Sequence, residues 1–358
     1  MRRRAHAGRR ARSVAGALLA LATATGLAAC GGDGAGEPAV AGGGTRAAAE
    51  ASAFPVSVEH KYGTTRIAAE PKRIVVVGLV EQDALLALGV VPVATTEWFG
   101  KHPGAIWPWA ADELGGAAPP QVLTDVDGIQ FEKVAALKPD LILGVYSGLT
   151  AEDYATLSKI APTVAQPKGA TDWGVSWQDL TRIVGKAVGR PAAAAKAVAA
   201  AEAEIAAARA ANPAFEGATG LVATTYQGYY VYGPRDARGR LLADLGLRLP
   251  AGLDAVTGGQ FGANLSRERT DLLDTDVLVW LVDDVARDRD KLDADPLYTK
   301  LPVRPQGREV FLLSQGELGG ATSFVSVLSI PYLMDNLVPR LAAAVDGDPA
   351  TAAEPEAA

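Results

Sequence analysis

The sequence has few of the side chains that build metal and disulfide sites. Its 358 residues include one cysteine and three histidines, and only His60 and His102 lie beyond the first 30 positions. A single cysteine excludes a disulfide framework, and zinc and iron–sulfur sites need several thiolate or imidazole ligands. We therefore expect neither a resident metal site nor a bound cofactor.

An excess of basic charge is also absent. The chain has 34 lysines and arginines against 41 aspartates and glutamates, which gives a net charge of -7. Proteins that bind nucleic acids present a basic face, so this balance argues against such a partner. The chain also lacks a Gly-x-Ser-x-Gly turn, a Walker phosphate loop and a dinucleotide-binding glycine fingerprint between a strand and a helix. We expect no enzyme activity and assign no catalytic residue.

The first residues predict export. Positions 1–12 contain six arginines and no acidic residue, and an apolar run then continues to residue 29. A basic start, a short apolar stretch and small residues before the cleavage point are typical of a secretory signal peptide, and this run is too short to span a bilayer. Removal of residues 1–29 leaves 28 basic and 41 acidic side chains, so the exported body has a net charge of -13.

The single cysteine stands at the cleavage point. Leu27-Ala28-Ala29-Cys30 resembles the lipobox of bacterial lipoproteins, in which the cysteine thiol is diacylglycerylated and the cysteine becomes the new N-terminus. The resemblance implies lipidation at Cys30 and anchoring to the outer face of the cell membrane, or a periplasmic location. We expect residues 30–53 to form a flexible tether and residues 346–358 a disordered tail, since both are poor in residues that can be buried.

The body between these segments alternates strands and helices. Buried strands are predicted by apolar runs at 73–78, 90–94, 140–144, 220–225, 229–232, 276–282 and 310–313. Helical patterns lie between them, at 81–88, 132–137, 241–245, 270–274 and 328–341. The alternation predicts an α/β fold of two Rossmann-like lobes with parallel sheets.

A long helix is predicted at mid-chain. Pro191 begins an alanine-rich run that ends before Asn212-Pro213. Proline suits the first turn of a helix and alanine is the best helix former, and a helix of this length spans about 30 Å. We expect a connecting helix at 191–212, an N-terminal lobe at 54–190 and a C-terminal lobe at 213–345, with a ligand cleft between the lobes.

Four segments stand out in order along the chain, at 70–94, at 125–143 (DVDGIQFEKVAALKPDLIL), at 295–311 and at 326–332. They resemble, in the same order, the iron–siderophore substrate-binding proteins of ABC importers, a family related to the cobalamin-binding proteins. The resemblance implies a monomer that captures a ferric siderophore in the cleft and delivers it to the permease dimer. It also implies that the ligand cleft lies between two lobes joined by a single rigid helix.

The resemblance further assigns two docking residues. Glu132 and Glu268 match the glutamates that the family presents, one from each lobe, to arginines of the permease. Carboxylate and guanidinium groups form bidentate pairs and steer association, which suits a reversible encounter.

Seven residues are predicted to contact the ligand. Aromatic rings can flank a ferric siderophore, while tyrosine and arginine can donate hydrogen bonds to its chelating oxygens. The candidates, which we expect near strand ends on the cleft side, are Trp98, Phe99, Tyr146, Trp173, Tyr232, Arg235 and Phe261. Tyr146 and Phe261 are similar in position to ligand-contacting residues of hydroxamate binders. Those binders often have an arginine before the first-lobe glutamate helix; residues 124–130 contain none, so Arg235 is the predicted oxygen-binding arginine.

Two other functions stay open. A haem- or cobalamin-binding protein of the same fold would hold its ligand through aromatic side chains, with tyrosine or histidine as an axial ligand. A secreted α/β enzyme is the more distant alternative, with His102 as an acid or base. Direct zinc or manganese binding needs more histidines than the chain offers. Trp107, Trp109 and Trp177 are expected to pack structurally, and Trp280 to lie in the core.

Overall fold

The computed structural model describes residues 48–124 and 126–356. The predicted signal peptide, Cys30 and most of the predicted tether lie outside this part of the chain. Among the described residues, no helix combines the length and the apolar character needed to cross a membrane.

The first lobe is built around a parallel sheet. An antiparallel hairpin precedes it, formed by β1 (Val56–His60) and β2 (Gly63–Ile67). The sheet has the order β5-β4-β3-β6-β7, with β3 (Ile74–Val76), β4 (Ala94–Glu97), β5 (Gln121–Thr124), β6 (Leu141–Gly144) and β7 (Thr163–Ala165). Its helices are α1 (Glu81–Ala87), α2 (Phe131–Ala136), α3 (Ala151–Leu157) and α4 (Trp177–Ala187). Two 3₁₀ segments, Pro103–Ala105 and Pro108–Leu114, lie between β4 and β5.

The second lobe contains a mixed sheet of order β10-β9-β8-β11-β12. Its strands are β8 (Gly220–Thr224), β9 (Tyr229–Tyr232), β10 (Gly262–Leu265), β11 (Val277–Val282) and β12 (Glu309–Leu313). Its helices are α6 (Ala237–Asp244), α7 (Leu253–Thr257), α8 (Val285–Asp293), α9 (Glu317–Ser323), α10 (Ser329–Asn336) and α11 (Val338–Val345). Three 3₁₀ segments complete it, at Pro213–Phe215, Arg267–Leu273 and Tyr298–Lys300.

The two-lobed α/β fold agrees with the sequence prediction, but the second sheet is not wholly parallel. Strands β8, β11 and β12 are parallel, whereas β9 runs antiparallel to both β8 and β10. Only residues 225–228 separate β8 from β9, and so short a connection can join antiparallel neighbours but not a parallel pair.

Helix α5 (Pro191–Ala211) lies between the lobes in sequence and packs against both. Its buried Ala194 belongs to the core of the first lobe, whereas Val198 and Ile205 belong to the core of the second. The Glu50 carboxylate accepts hydrogen bonds from the N–H groups of Ala192 and Ala193, at 2.8 and 3.1 Å. Residues 48–53 are therefore not part of a free tether, because Glu50 caps the first turn of this helix.

Two other predicted elements differ from the structure. The predicted strand at 90–94 begins only at Ala94, because the N–H of Val90 closes the end of α1 by donating to Leu85 O, at 2.8 Å. The predicted closing helix at 328–341 is divided into α10 and α11. Pro339 lies in the first turn of α11, where its ring lacks the N–H that a continuous helix would require.

The described end of the chain packs against the second lobe instead of forming a disordered tail. The N–H of Glu356 donates to Phe311 O of β12, at 3.1 Å. Its carboxylate accepts from the N–H groups of Leu313 and Leu318, at 2.8 and 3.2 Å, and Leu318 lies in the first turn of α9. Glu356 thus supplies the cap that α9 lacks from its own preceding residue.

A buried hydrogen bond joins the lobes away from α5. Asp83, on α1 and 2% exposed, accepts from Ser326 Oγ of the second lobe and from Trp109 Nε1, the latter at 2.8 Å. Ser326 Oγ also accepts from the N–H of Ser329 at the start of α10, at 3.0 Å. One hydroxyl therefore satisfies a buried carboxylate and a helix terminus together.

We predict that Ser326→Ala destabilises the protein by about 2 kcal/mol, because it leaves a buried carboxylate with one donor fewer and a helix N–H without an acceptor. Urea unfolding followed by tryptophan fluorescence measures the change. Ser158→Ala, at an exposed position, is the matched control. Equal stability of the two variants would contradict the proposed role of Ser326.

Candidate functional site

Tyr146, a residue of the first lobe, lies close to charged side chains of the second lobe. It follows β6, is 8% exposed, and lies close enough to Asp236, Arg238 and Arg240 for their charges to act on its hydroxyl. Burial, with the Asp236 charge, raises the pKa of this phenol, so it is a neutral hydrogen-bond donor at physiological pH. This predicted residue thus lies where the two lobes meet.

The position of Tyr146 is fixed by Glu81, a residue that the sequence analysis used only as a helix start. Glu81 Oε1 accepts from the N–H groups of Val145 and Tyr146, the latter at 2.9 Å, and Oε2 accepts from Val80 N–H, at 3.1 Å. The carbonyl of Tyr146 accepts from Leu79 N–H, at 3.2 Å. Burial of the carboxylate raises the pKa of Glu81 to about 7, although the backbone N–H groups oppose this shift.

The second lobe contributes a buried arginine from the first turn of α6. Arg238 is 6% exposed, and its Nη1 donates to both oxygens of Asp236, at 3.0 Å each. Its guanidinium lies over the Tyr232 ring, with 4.0 Å between the guanidinium carbon and the ring centroid. Although burial alone would lower it, the Asp236 carboxylate raises the pKa of Arg238. Nε and Nη2 make no hydrogen bond within the described part of the chain.

Aromatic rings surround these polar groups and cross from lobe to lobe. Trp173 of the first lobe meets Phe261 of the second edge to face, with 6.4 Å between ring centroids. Phe261 in turn lies 6.1 Å from Tyr230, which lies 5.3 Å from Tyr232. Burial raises the pKa of Tyr230 to about 12, so this hydroxyl is also neutral. Nearby, Arg240 Nη2 donates to Gly174 O across the lobes, at 2.7 Å.

The other predicted first-lobe aromatics form a second contact with the second lobe. Phe99 stacks on Phe324, at 4.9 Å between centroids, and Trp98 meets the same ring edge to face, at 6.0 Å. Trp98 is 63% exposed and Trp173 is 39% exposed, which makes them two of the four large hydrophobic side chains that are exposed in the described residues. Exposed tryptophans beside an inter-lobe junction suit contact with a ligand.

Arg235 and Arg238 differ in their surroundings. Arg235 is exposed, and its guanidinium lies beside Gly259, where an added Cβ would be 3.6 Å from the guanidinium carbon. Arg238, which sequence reasoning missed, is the one buried next to Tyr146 and Tyr232. The available signal was Asp236-Ala237-Arg238, shortly after β9, in which an aspartate can cap the helix that carries the arginine.

The predicted docking glutamates are both exposed. Glu132 lies in the first turn of α2, and Glu268 lies in the 3₁₀ segment Arg267–Leu273. Neither carboxylate forms an ion pair with any residue that the structure describes. Each is therefore available to a cation of another molecule.

One cavity of the described structure is a different feature from this cluster. It has a volume of about 400 Å³ and opens between α4, α5 and α6, where it is lined by charged residues that include Arg182, Glu202, Arg240 and Asp244. It has no aromatic residue in its lining, so it does not match an aromatic-walled ligand site. We place the candidate site at the cluster of Tyr146, Tyr232 and Arg238.

The two later histidines have local partners. His60 is buried, with Nε2 2.9 Å from Thr65 Oγ1, and His102 packs on Trp107, with 4.4 Å between centroids. Within the described ranges, no three histidine, cysteine or acidic side chains are grouped so that they could hold a metal ion.

The tryptophans that were expected to be structural are so placed. Trp107, Trp177 and Trp280 are buried, at 4%, 6% and 0% exposure, as predicted, and Trp109 donates to Asp83.

Comparisons with known proteins identify relatives of this chain. The family model described as "Periplasmic binding protein" matches residues 74–311. A probable siderophore-binding lipoprotein of Bacillus subtilis, YfiY, is 38% identical over 123 residues, which are 33% of this chain and 34% of that protein. The Fe(3+) dicitrate-binding periplasmic protein FecB of Escherichia coli is 30% identical over 38% of this chain and 44% of its own length. The matches thus span less than half of each of these two relatives.

Solved structures match over a longer stretch. A periplasmic solute-binding protein from Mycobacterium smegmatis is 38% identical, with a TM-score of 0.70, and the match covers 81% of this chain and 98% of that one. PiaA of Streptococcus pneumoniae, solved in complex with ferrichrome, is 27% identical, with a TM-score of 0.73 and coverage of 82% and 99%.

Glu81 gives a testable pH dependence. Because its pKa is raised from the usual 4.5 to about 7, the folded protein keeps a proton that the unfolded chain releases, and the free energy of unfolding should fall as pH rises from about 4.5 to about 7. In the original protein this fall in the free energy of unfolding is on the order of 3 kcal/mol over that pH range, and Glu81→Gln should remove it. Urea unfolding at pH 5 and pH 8 measures it, with exposed Glu59→Gln as the control. An unchanged pH dependence in Glu81→Gln would disprove the assignment.

Proposed function

Because the chain belongs to the periplasmic binding protein family, we propose that it captures a ferric siderophore between its lobes and delivers it to an ABC importer. The observation that carries the proposal is the cluster of Tyr146, Tyr232 and Arg238. Arg238 is buried, yet Nε and Nη2 have no acceptor among the described residues. Burying an arginine costs free energy unless its donors are used, and the chelating oxygens of a siderophore are suitable acceptors.

The proposed mechanism is capture without chemical change. Arg238 Nη2 and the neutral Tyr146 hydroxyl donate to ligand oxygens, while Trp98, Trp173 and Phe261 cover the apolar parts of the ligand. Trp173 and Phe261 touch each other across the lobes, so a ligand bound between them requires these two rings to separate. The iron arrives already coordinated, and the protein needs no metal ligand of its own.

Names of relatives support the ligand class. YfiY is named a probable siderophore-binding lipoprotein, FecB binds ferric dicitrate by its name, and PiaA was solved with ferrichrome. Haem and cobalamin remain alternative ligands of the same site, since aromatic walls and a tyrosine would suit them as well.

We further propose that the exported protein is anchored through lipid on Cys30 and that Glu132 and Glu268 dock on the permease dimer. Both carboxylates are exposed and free of ion pairs within the described residues, and they belong to different lobes. Two separated carboxylates can recognise the permease as a pair, and their exposure keeps the cost of desolvation low.

Ligand capture predicts quenching of tryptophan fluorescence by a ferric siderophore. Ferrichrome, ferrioxamine B, ferric enterobactin, ferric dicitrate, haem and cobalamin are titrated in turn, and we expect quenching by at least one of the four ferric siderophore complexes. Arg238→Lys, which keeps a positive charge beside Asp236 but loses the guanidinium donors, should weaken binding by about 10- to 100-fold. Arg235→Lys is the matched control and should change affinity by less than about threefold. A larger loss in Arg235→Lys would restore Arg235 as the oxygen-binding arginine; quenching by haem or cobalamin alone would overturn siderophore capture.

Docking predicts a separation of binding from transport. The double variant Glu132→Arg with Glu268→Arg should keep the ligand affinity of the original protein but abolish iron uptake by cells that depend on it, because like charges then face the permease arginines. Glu59→Arg with Glu113→Arg introduces the same charge at two other exposed positions and should leave uptake intact. Normal uptake by the first double variant would rule out the docking assignment.

A further inference from the structure

Resting on the proposed function, we infer that Trp173 is a gate of the site between the lobes and that Asp172 holds this gate closed. Asp172 does so through two partners, Gln166 and Lys61, and we call these three residues the latch. The latch lies outside the ligand cluster, so it controls how fast a ligand enters and leaves rather than how tightly it binds. Asp172 is a positioning residue, because it acts through Trp173.

The ligand-facing donors are covered in the described conformation. Tyr146 and Arg238 are 8% and 6% exposed, so a ligand cannot reach them until a neighbouring group moves. Trp173 and Phe261 meet edge to face between the lobes, with 6.4 Å between ring centroids and 75° between ring planes. Trp173 is itself 39% exposed. Its ring therefore stands at the border between solvent and the junction of the lobes.

The backbone of Trp173 is strained. Residues 166–176 join β7 to α4 and contain two consecutive turns, 167–170 and 171–174, each closed by a backbone hydrogen bond, at 3.2 and 3.0 Å. The third residue of the first turn is Gly169, with a φ of 84°, and the third residue of the second is Trp173, with a φ of 52°. This left-handed conformation suits glycine and is unfavourable for tryptophan. Other contacts must therefore hold Trp173 in place, and its strain favours release.

The ring of Trp173 rests on a glycine beside the candidate site. A Cβ added to Gly148 would lie 2.6 Å from this ring, so the indole lies directly on the backbone there. The N–H of Trp173 donates to Ser147 O, at 3.2 Å. Ser147 and Gly148 directly follow Tyr146, so the ring covers the segment that carries the ligand-facing phenol. Movement of the ring uncovers that segment.

Asp172 ties the strained turn to the body of the first lobe. Its Oδ1 accepts from Gln166 Nε2, at 2.9 Å, and from Lys61 Nζ, at 3.2 Å. Gln166 is 0% exposed, and its Nε2 also donates to Ser147 O, at 3.3 Å. The N–H of Lys61 donates to Gln166 O, at 2.8 Å. The latch thus connects the hairpin turn after β1, the residue after β7 and the turn that carries Trp173.

The residue after Trp173 is fixed separately. The carbonyl of buried Gly174 accepts from Arg240 Nη2 of the second lobe, at 2.7 Å. The residue before Trp173 is held through the Asp172 side chain, which is 47% exposed, and so exposed an ion pair breaks and reforms readily. When it breaks, the turn can rotate about Gly174 and the Trp173 ring can leave Phe261. Weakening the latch therefore speeds opening, while the ligand contacts of the closed state stay the same.

Fluorine NMR tests the gate without any ligand. The chain contains six tryptophans, so labelling with 5-fluorotryptophan gives six resonances, and Trp173→Phe identifies the one from Trp173. We expect this resonance to exchange between two environments, and Asp172→Ala should raise the exchange rate, measured by relaxation dispersion, at least about threefold. Asp112→Ala, at an exposed position of the same lobe, is the matched control and should leave the rate unchanged. A single environment in both the original protein and Asp172→Ala would overturn the gate.

Stopped-flow fluorescence with ferrichrome, ferrioxamine B, ferric enterobactin and ferric dicitrate tests the control of ligand entry. Asp172→Ala should raise the association and the dissociation rate constants by about three- to tenfold each and change Kd by less than about threefold. Lys61→Met removes one of the two latch donors and should have a smaller effect in the same direction, whereas Lys61→Arg should restore the original rates. An effect confined to the dissociation rate constant would contradict the gate, because it would show a change in affinity alone.

The outcomes separate this inference from the function on which it rests. Binding of none of the four ferric complexes overturns siderophore capture, and fluorine NMR then still decides whether Trp173 moves. If a ferric complex binds but Asp172→Ala alters neither the rate constants nor the exchange of Trp173, the gate is overturned while siderophore capture stands.

Discussion

The arrangement of the two lobes depends on the buried carboxylate of Asp83. It accepts hydrogen bonds from Trp109 of its own lobe and from Ser326 of the other lobe. A buried acid without donors is costly, so the two lobes are stable in this orientation while Ser326 stays in place. Helix α5 provides the second connection, because its buried face packs first into one core and then into the other. Two separate attachments oppose a wide hinge motion and leave room only for small adjustments.

This constraint explains why the candidate site needs a rigid support on each side. If the lobes move little, the ligand-facing groups must already stand near their final positions. Glu81 accepts hydrogen bonds from the N–H groups of Val145 and Tyr146, which fixes the backbone that carries the Tyr146 side chain. Asp236, at the cap of the same helix as Arg238, accepts from Arg238 Nη1. The rings of Trp98 and Trp173 are the parts with room to adapt, since both are exposed to solvent on one side. Rigid polar donors with adaptable aromatic walls suit ligands that share one kind of chelating group but differ in overall shape.

Much of the fold follows from local sequence signals, and the site follows less well. The bounds of α5 and β9 agree closely with the prediction, because proline and alanine favour the helix locally and tyrosine and valine favour the strand. The predicted helix at 241–245 starts too late, since the apolar residues Leu241 and Leu245 mark only its second half and α6 begins at Ala237. That difference concealed Arg238, which lies in the omitted first turn. The Ser326 hydrogen bond and the Glu50 cap depend on distant residues, so no local pattern indicates them. The antiparallel course of β9, in contrast, follows from the short connection at 225–228, which the prediction of parallel sheets overlooked.

Under the proposed function, the scarcity of metal ligands has a physical explanation, because the protein meets iron only through the outer atoms of a chelate. Donors of modest strength then replace thiolates and imidazoles. Without residues 1–29 the chain carries a net charge of -13, and at physiological salt its field acts over about 8 Å around the surface. Inside the candidate site the charges are local: Arg238 forms an ion pair with Asp236, whereas Arg235 is exposed and Arg240 donates to the Gly174 carbonyl. Under the proposed function, these local arginines matter more to the ligand than the net charge of the chain.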